Sequence, residues 1–143
     1  MTSVTNGSCV GMLMTSNPVV ISEDAEASEA ERLMKTYRVS GLPVVSADAT
    51  VGVISQTDLV LARSSAMISG NWARLRVRHL MTTPAVTVHA GTSLARAARL
   101  MVTRHIHRLV VVDDEDAAVG LVSSLDLLRA LFADADSTPV AVT

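Results

Sequence analysis

Two aspartates that follow serines at the same spacing are the residues of this sequence best suited to chemistry. Asp58 comes three residues after Ser55, and Asp126 comes three residues after Ser123. An ionised carboxylate accepts hydrogen bonds from two adjacent hydroxyl groups, which suits a ribose diol. The same carboxylate in the first turn of a helix would instead cap free N–H groups and oppose the helix dipole. The two roles are compatible, so both stay open.

Polar and basic residues in the same patterns favour a phosphate group as part of the ligand. Thr57 stands next to Asp58, where backbone N–H groups of a strand-to-helix turn can cradle a phosphate. Arg108, which follows His107, offers a bidentate fork for phosphate oxygens. The alternative is that this pair is a solvated basic loop near the acidic residues 113–116.

Composition excludes several other classes of function. The net charge is −2 and the chain has one Trp, one Tyr and one Phe, so it lacks the basic face and the stacking platforms of a nucleic-acid-binding protein. No apolar run approaches the ~20 residues that span a membrane. The first residues have no basic segment typical of a signal peptide. Cys9, the single cysteine, has no partner for an internal disulfide. We expect a cytoplasmic protein with no nucleic-acid or membrane partner.

Catalytic motifs are absent from the sequence. It contains no P-loop, no glycine-rich dinucleotide fingerprint, no nucleophile elbow and no HExxH helix, so we predict no catalytic residue, no catalytic cofactor and no enzyme. A metal site built from His105 and His107 with His79 or His89 is a weaker alternative, because no Cys or spaced carboxylate completes the ligand set.

The elements that must position these residues occur twice. Apolar residues at i, i+3, i+4 and i+7 predict a helix from Leu94 to Met101, with Thr92 as its N-cap. Two β-branched runs with a polar loop between them predict a hairpin in each copy. A closing helix is expected to begin at Thr57 or Asp58 in the first copy and at Leu125 or Asp126 in the second. The repeated segments are Met14–Pro18 and Met81–Pro84, Leu42–Val45 and Leu109–Val112, and Gly52–Leu59 and Gly120–Leu127.

Duplication predicts how the two units pack. A three-stranded sheet with two helices in about 60 residues cannot cover both of its faces, so one copy alone would be marginal. We therefore predict an α+β fold in which two β-α-β-β-α repeats form a pseudo-two-fold pair through their small sheets, with two related clefts at the seam. The expected boundaries are 8–69 for repeat 1, 70–76 for a connector, 77–133 for repeat 2 and 134–143 for a disordered tail.

The order and duplication of these motifs resemble cystathionine β-synthase (CBS) domains. The resemblance rests on the Met-Thr-x-x-Pro start, on Gly41–Val45 and on Gly52–Asp58, and it covers residues 10–132. Residues 105–113 are also similar to segments of the nucleotide-sensing gamma subunit of AMP-activated protein kinase. The resemblance implies a stand-alone CBS pair, or Bateman module, that is regulatory, binds an adenine nucleotide such as AMP, ADP or ATP, and forms a homodimer.

The resemblance also implies roles for individual residues. Asp58 would bind the ribose, with Ser55 and Thr57 beside it, and His107 and Arg108 would reach across to the phosphate. Several apolar residues would form the adenine slot, although for any one of them plain core packing is favoured: Val53, Ala85, Val86, Ile106 and Val110.

A second, weaker cleft is implied at Asp126, Ser123 and Gly41. The counterpart of His107-Arg108 in the first repeat is Ser40-Gly41, which carries no charge. This cleft would therefore take a less anionic ligand or stay empty. The alternatives to nucleotide binding are a ligand-free homodimeric interaction scaffold and a CBS pair that binds S-adenosylmethionine or a metal. The effector protein that the module would regulate is unknown.

Overall fold

A computed structural model describes residues 8–136 of the chain, without the side chains of residues 66–69 and 133–136. Two 3-10 turns, Val10–Met12 and Trp72–Arg74, accompany the regular elements of this range. In chain order these elements are β1 (Thr15–Ser16), β2 (Ile21–Ser22), α1 (Ala27–Tyr37), β3 (Gly41–Ser46), β4 (Ala49–Ser55), α2 (Gln56–Ser69), α3 (Val77–Leu80), β5 (Thr87–Val88), α4 (Leu94–Arg104), β6 (Arg108–Val112), β7 (Ala118–Ser123) and α5 (Ser124–Asp136).

The predicted α+β fold class is confirmed. One sheet has the strand order β2-β3-β4 and the other has the order β1-β7-β6-β5. The antiparallel hairpins β3–β4 and β6–β7 stand where the β-branched runs predicted them, and β2 and β5 pair in parallel with β3 and β6. No helix within residues 8–136 is both long and apolar enough to cross a membrane.

The predicted N-cap of α4 is wrong. Ser93 caps the helix, because its side-chain oxygen accepts a hydrogen bond from the Arg96 backbone N–H at 3.1 Å. The Thr92 hydroxyl instead accepts a hydrogen bond from the His89 backbone N–H at 3.3 Å. Two adjacent hydroxyl residues before a helix leave the cap position ambiguous in the sequence, and the turn geometry decides it.

Helix ends also differ from the expected positions. α2 begins at Gln56 and α5 begins at Ser124, one residue before the predicted starts. α5 continues to Asp136, so residues 134–136 are helical although they were expected to belong to a tail. Residues 137–143 of the expected tail lie outside the described residues.

The segments that precede Pro18 and Pro84 each cross from their own repeat to the other. Val10 is completely buried in the core formed mainly by residues 88–130, and Val77 is completely buried in the core formed mainly by residues 21–59. β1 pairs with β7, with Thr15 opposite Leu121. In the related position, the Thr82 backbone exchanges two hydrogen bonds with Val53 of β4, at 2.8 and 3.0 Å. The two repeats therefore complete each other's sheets and cores.

Two glycines allow this crossing. A Cβ atom at Gly52 would lie 2.7 Å from the Thr82 carbonyl oxygen and 3.0 Å from the Met81 sulfur. A Cβ atom at Gly120 would collide with the side chain of Met14. Gly52 thus allows the close approach of the Thr82 backbone, and Gly120 leaves room for the Met14 side chain.

Both faces of each central strand are covered. On β3, Leu42 and Val44 belong to one helix-side core, and Pro43 between them is also fully buried. On β6, Val110 is fully buried between Leu109 and Val111 of the other core. β4 and β6 lie in contact across the boundary between the repeats. The sheets thus bury the faces that the helices leave open.

We expect Val10→Ala to destabilise both repeats together by about 2 kcal/mol, since the crossing segment joins the two cores. Trp72 packs against the first-repeat core, whereas Val10 lies in the second. Urea unfolding followed by Trp72 fluorescence and by circular dichroism should therefore show the same shift in midpoint. A shift seen by circular dichroism alone would mean that the halves unfold independently. Met12→Ala, in the same segment but 70% exposed, is the control and should change little.

Candidate functional site

Asp58 and Asp126 each form a capping box with the serine three residues before them, through the same pair of hydrogen bonds. The Ser55 backbone N–H donates to Asp58 Oδ2 at 2.8 Å, and the Asp58 backbone N–H donates to the Ser55 hydroxyl at 3.1 Å. The Ser123–Asp126 pair has the same two bonds at the same distances. The capping alternative is therefore realised in both repeats, and it fixes each carboxylate at the strand-to-helix turn.

The second carboxylate oxygen distinguishes the two caps. Asp58 Oδ1 has no hydrogen bond to any residue in the described range, so it can accept from a ligand. Asp126 Oδ1 lies 4.0 Å from the guanidinium of Arg129, one turn further along α5. The residue at the equivalent position of α2 is Leu61, which cannot form such a pair.

One cleft at the seam brings together most of the predicted ligand residues. It lies beside Asp58 between the two repeats and has a volume of about 170 Å³. The first repeat contributes Asp58 and Ser55, and the second repeat provides the basic and most of the apolar groups. The predicted residues that line the cleft are Val53, Ser55, Asp58, Ala85, Val86, Ile106, His107 and Arg108.

Two predicted residues lie away from this cleft. Thr57 is exposed in the first turn of α2, because two residues of helix turn its side chain away from Ser55. Val110 is completely buried within β6 and does not line the cleft. Its hydrophobicity and strand position suit an adenine slot and a core equally well.

Sequence reasoning missed three residues of the cleft wall: Thr82, Pro84 and His105. Thr82 and Pro84 belong to the repeated Met-Thr-x-x-Pro motif, which was used only to identify the repeat. His105 has a left-handed backbone, with φ of 54°, and ends α4. This turn directs the chain from the helix into β6, so that His105 and Arg108 reach the same cleft.

Arg108 crosses from its own repeat to the other. Its Nη2 donates to the Ser40 hydroxyl at 2.6 Å, and its side chain lies over Gly41. A Cβ atom at Gly41 would be 2.6 Å from Arg108 Nε, so a larger residue there would have to displace the guanidinium. Burial lowers the pKa of Arg108, while the carboxylates of Asp58 and Asp126 oppose that shift. An arginine still carries its charge at neutral pH.

The predicted second cleft would therefore include Gly41, a glycine that the Arg108 side chain covers. Ser123 and Asp126 stand at the end of β7 and the start of α5, as Ser55 and Asp58 do in the first repeat. Gly41, opposite them, lies under the Arg108 side chain. The space that the missing side chain leaves is thus occupied by the arginine of the other repeat.

The histidines do not form a metal centre in the described part of the chain. No group of three His, Cys, Asp or Glu residues there has the geometry to hold a metal ion. His79 Nδ1 accepts a hydrogen bond from the Arg76 backbone N–H at 2.9 Å, and His89 Nδ1 lies 3.1 Å from the Val112 carbonyl oxygen. The rings of His79 and His89 are thus engaged in local hydrogen bonds, away from His105 and His107.

Comparison with known proteins identifies the repeated unit. The model of the CBS domain family matches residues 10–65 and again residues 77–133. An uncharacterized protein of Methanocaldococcus jannaschii is 29% identical, over 80% of this chain and 86% of its own length. The inosine-5'-monophosphate dehydrogenase of the same organism is 30% identical over 78% of the chain, which spans only 21% of that enzyme.

Solved structures show the same arrangement. CBSX2 in complex with AMP is 30% identical, covers 89% of this chain and 98% of its own, and superposes with a TM-score of 0.74. A structure of CBSX2 from Arabidopsis thaliana is 28% identical, covers 93% and 99% of the two chains, and has a TM-score of 0.73. The CBS domain of a bacterial CNNM/CorC Mg²⁺ transporter with ATP, 22% identical over 92% of both chains, shares the fold with a TM-score of 0.77.

The resemblance predicted from the repeated motifs is thereby confirmed. Both copies match the family model, and the whole pair superposes on solved CBS pairs. This chain belongs to the CBS domain family and carries two copies of the domain in tandem.

Proposed function

We propose that this chain is a non-catalytic regulatory module that binds an adenine nucleotide of the AMP, ADP or ATP class in the Asp58 cleft. One observation carries the proposal: Asp58 from one repeat and Arg108 from the other line the same partly apolar cleft, and Asp58 Oδ1 has no hydrogen bond to a described residue. Support comes from the 30% identical CBSX2, which was solved in complex with AMP.

The chemistry of the cleft matches the three parts of such a ligand. Asp58 Oδ1 can accept from the ribose hydroxyls while Oδ2 keeps its cap bond to Ser55. Val86 and Ile106 offer apolar surface for the base, and Arg108 offers paired N–H donors for phosphate oxygens. S-adenosylmethionine, the alternative ligand, carries a positive sulfonium where a nucleotide carries phosphate. The guanidinium therefore favours the nucleotide.

Exposed apolar residues also support a homodimer. Val60 and Leu61 of α2 are more than half exposed, and so is Phe132 of α5. Leu125, Leu128 and Leu131 add to the exposed apolar face of α5. Apolar patches of this kind mark interaction surfaces, and a second copy of the chain is the occupant we propose.

We expect Asp58→Ala to remove discrimination between ribose and 2'-deoxyribose. The wild-type protein should bind AMP about tenfold more tightly than 2'-deoxy-AMP, because a hydrogen bond to a carboxylate is stronger than one between neutral groups. The variant should bind the two ligands equally in isothermal titration calorimetry. Asp126→Ala breaks the same cap in the other repeat and serves as the matched control. Retained discrimination in Asp58→Ala would remove this residue from the ribose site.

Arg108→Ala should weaken AMP binding by about tenfold to a hundredfold and leave adenosine within about threefold. The reason is that only AMP carries the phosphate that the guanidinium would contact. Calorimetric titration of both ligands measures the difference. Equal losses of affinity for AMP and for adenosine would mean that Arg108 maintains the shape of the cleft and does not contact the phosphate.

Phe132→Asp should convert a dimer to a monomer, because it places a charge in the exposed apolar face of α5. Sedimentation equilibrium gives the mass of each species. Met12→Asp introduces the same charge at an exposed position outside α2 and α5 and should leave the dimer intact. A wild-type chain that sediments as a monomer would rule out the homodimer.

A further inference from the structure

Arg108 is positioned between the Asp58 cleft and the predicted second cleft. Its backbone pairs with Ser123, which forms the capping bonds with Asp126, the carboxylate of that predicted cleft. Its side chain crosses to the first repeat, where it donates to Ser40 and lines the cleft of Asp58. The half-buried guanidinium of Arg108 thus lies close enough to interact electrostatically with the carboxylates of both Asp58 and Asp126.

The repeat supplies no equivalent of Arg108 on the other side. The residues related to His107 and Arg108 by the duplication are Ser40 and Gly41, which are uncharged. The residue related to His105 is Arg38, but this side chain lines the groove between α1 and α2 together with Glu31. The positive charge of Arg38 therefore lies in this groove and not at the predicted second cleft.

Arg129 does not replace this missing cation. It lies 4.0 Å from Asp126 Oδ1, and its side chain is 70% exposed. Solvent screens such a pair strongly, so Arg129 offsets little of the repulsion between Asp126 and an incoming phosphate. Arg108, being half-buried, is screened less.

We infer that Arg108 is a single cation shared by the two clefts, so that the chain binds one phosphate-bearing ligand at a time. A phosphate in the Asp58 cleft would draw the guanidinium toward it and leave Asp126 with only the exposed Arg129. A second phosphate would then meet a carboxylate whose charge is compensated only weakly. This inference rests on the proposed nucleotide function and adds a rule of occupancy to it.

Ser40 is the positioning residue of this arrangement. Its hydroxyl accepts a hydrogen bond from Arg108 Nη2 at 2.6 Å, next to Gly41 in the first repeat. A phosphate that draws the guanidinium further into the Asp58 cleft would have to break this hydrogen bond. Loss of the hydroxyl therefore frees the guanidinium for the ligand.

Asp126→Asn gives the sharpest test, since it lies outside the cleft whose affinity it should change. The amide oxygen can still accept the Ser123 N–H and keep the cap, but the competing charge is gone. We expect AMP to bind about threefold to tenfold more tightly, with adenosine unchanged and one AMP per chain at saturation. Asp113→Asn removes one charge from an exposed turn and keeps its acceptor oxygen, so it controls for net charge. Equal gains in both variants, or two AMP molecules bound with equal affinity, would overturn the inference.

Ser40→Ala tests the positioning role in the same assay. It should also tighten AMP about threefold to tenfold without changing adenosine, and Ser40→Thr, which keeps a hydroxyl, should restore the wild-type affinity. An unchanged or weaker AMP affinity in Ser40→Ala would show that the serine does not restrain Arg108. A purely structural serine would move both ligands together.

A measurement without ligand separates this inference from the proposed function. The Nε–H resonance of Arg108, assigned by its loss in Arg108→Lys, should shift in Asp58→Asn and in Asp126→Asn. A response to only one of the two substitutions would refute the sharing of Arg108, whether or not a nucleotide binds. Failure of wild-type protein to bind AMP, ADP or ATP would refute the proposed function and leave the resonance to decide the shared cation.

Discussion

Burial of the second face of each small sheet is the constraint on which the whole structure depends. Helices cover one face of each three-stranded unit, and the other face must be covered by something else. In this chain each repeat covers the other, which is why Pro43 and Val110 are buried although neither faces a helix-side core. The crossing of Val10 and Val77 reinforces this dependence, because each core contains a residue from the start of the other repeat. Clefts that touch both halves can therefore lie only at the seam.

A pseudo-symmetric seam does not permit a symmetric site. Gly41 and Arg108 occupy related positions at the starts of β3 and β6, yet they meet close to the axis. A side chain at Gly41 would begin 2.6 Å from Arg108 Nε, so long side chains at both positions would exclude each other. The duplicated fold thus accommodates one arginine there. Packing alone therefore makes the two related positions chemically different.

Local patterns were enough to predict the elements, because hairpins and amphipathic helices depend on neighbouring residues. The hairpins β3–β4 and β6–β7 are examples. The crossing of Val10 and Val77 was not predictable, since hydrophobicity shows that a residue is buried but not in which of two similar cores. Val110 illustrates the same limit within the site. In a strand buried on both faces, alternation cannot separate a cleft wall from a core.

The cleft residues also divide into those that local sequence patterns predict and those whose position depends on the tertiary fold. Asp58 and Ser55 were identified because a repeated motif brings them to a strand-to-helix turn, and that turn is local. His105 was missed as a cleft residue because its place depends on a left-handed turn at the end of α4. The contact of Arg108 with Ser40 joins residues 68 positions apart, so it depends on how the repeats dock.

Capping by Asp58 is compatible with the ligand binding that we propose for it. The Ser55 backbone N–H fixes the carboxylate by donating to Oδ2, while the Asp58 backbone N–H donates to the Ser55 hydroxyl, and Oδ1 has no hydrogen bond to a described residue. A carboxylate held in this way loses little side-chain freedom when a ligand binds, so less of the binding free energy is offset by ordering. Because Asp126 has cap bonds of the same lengths, the cap does not distinguish the surroundings of the two aspartates. The difference lies in the second oxygen, which faces Arg129 at Asp126, and in the opposite wall, where Arg108 stands against Gly41.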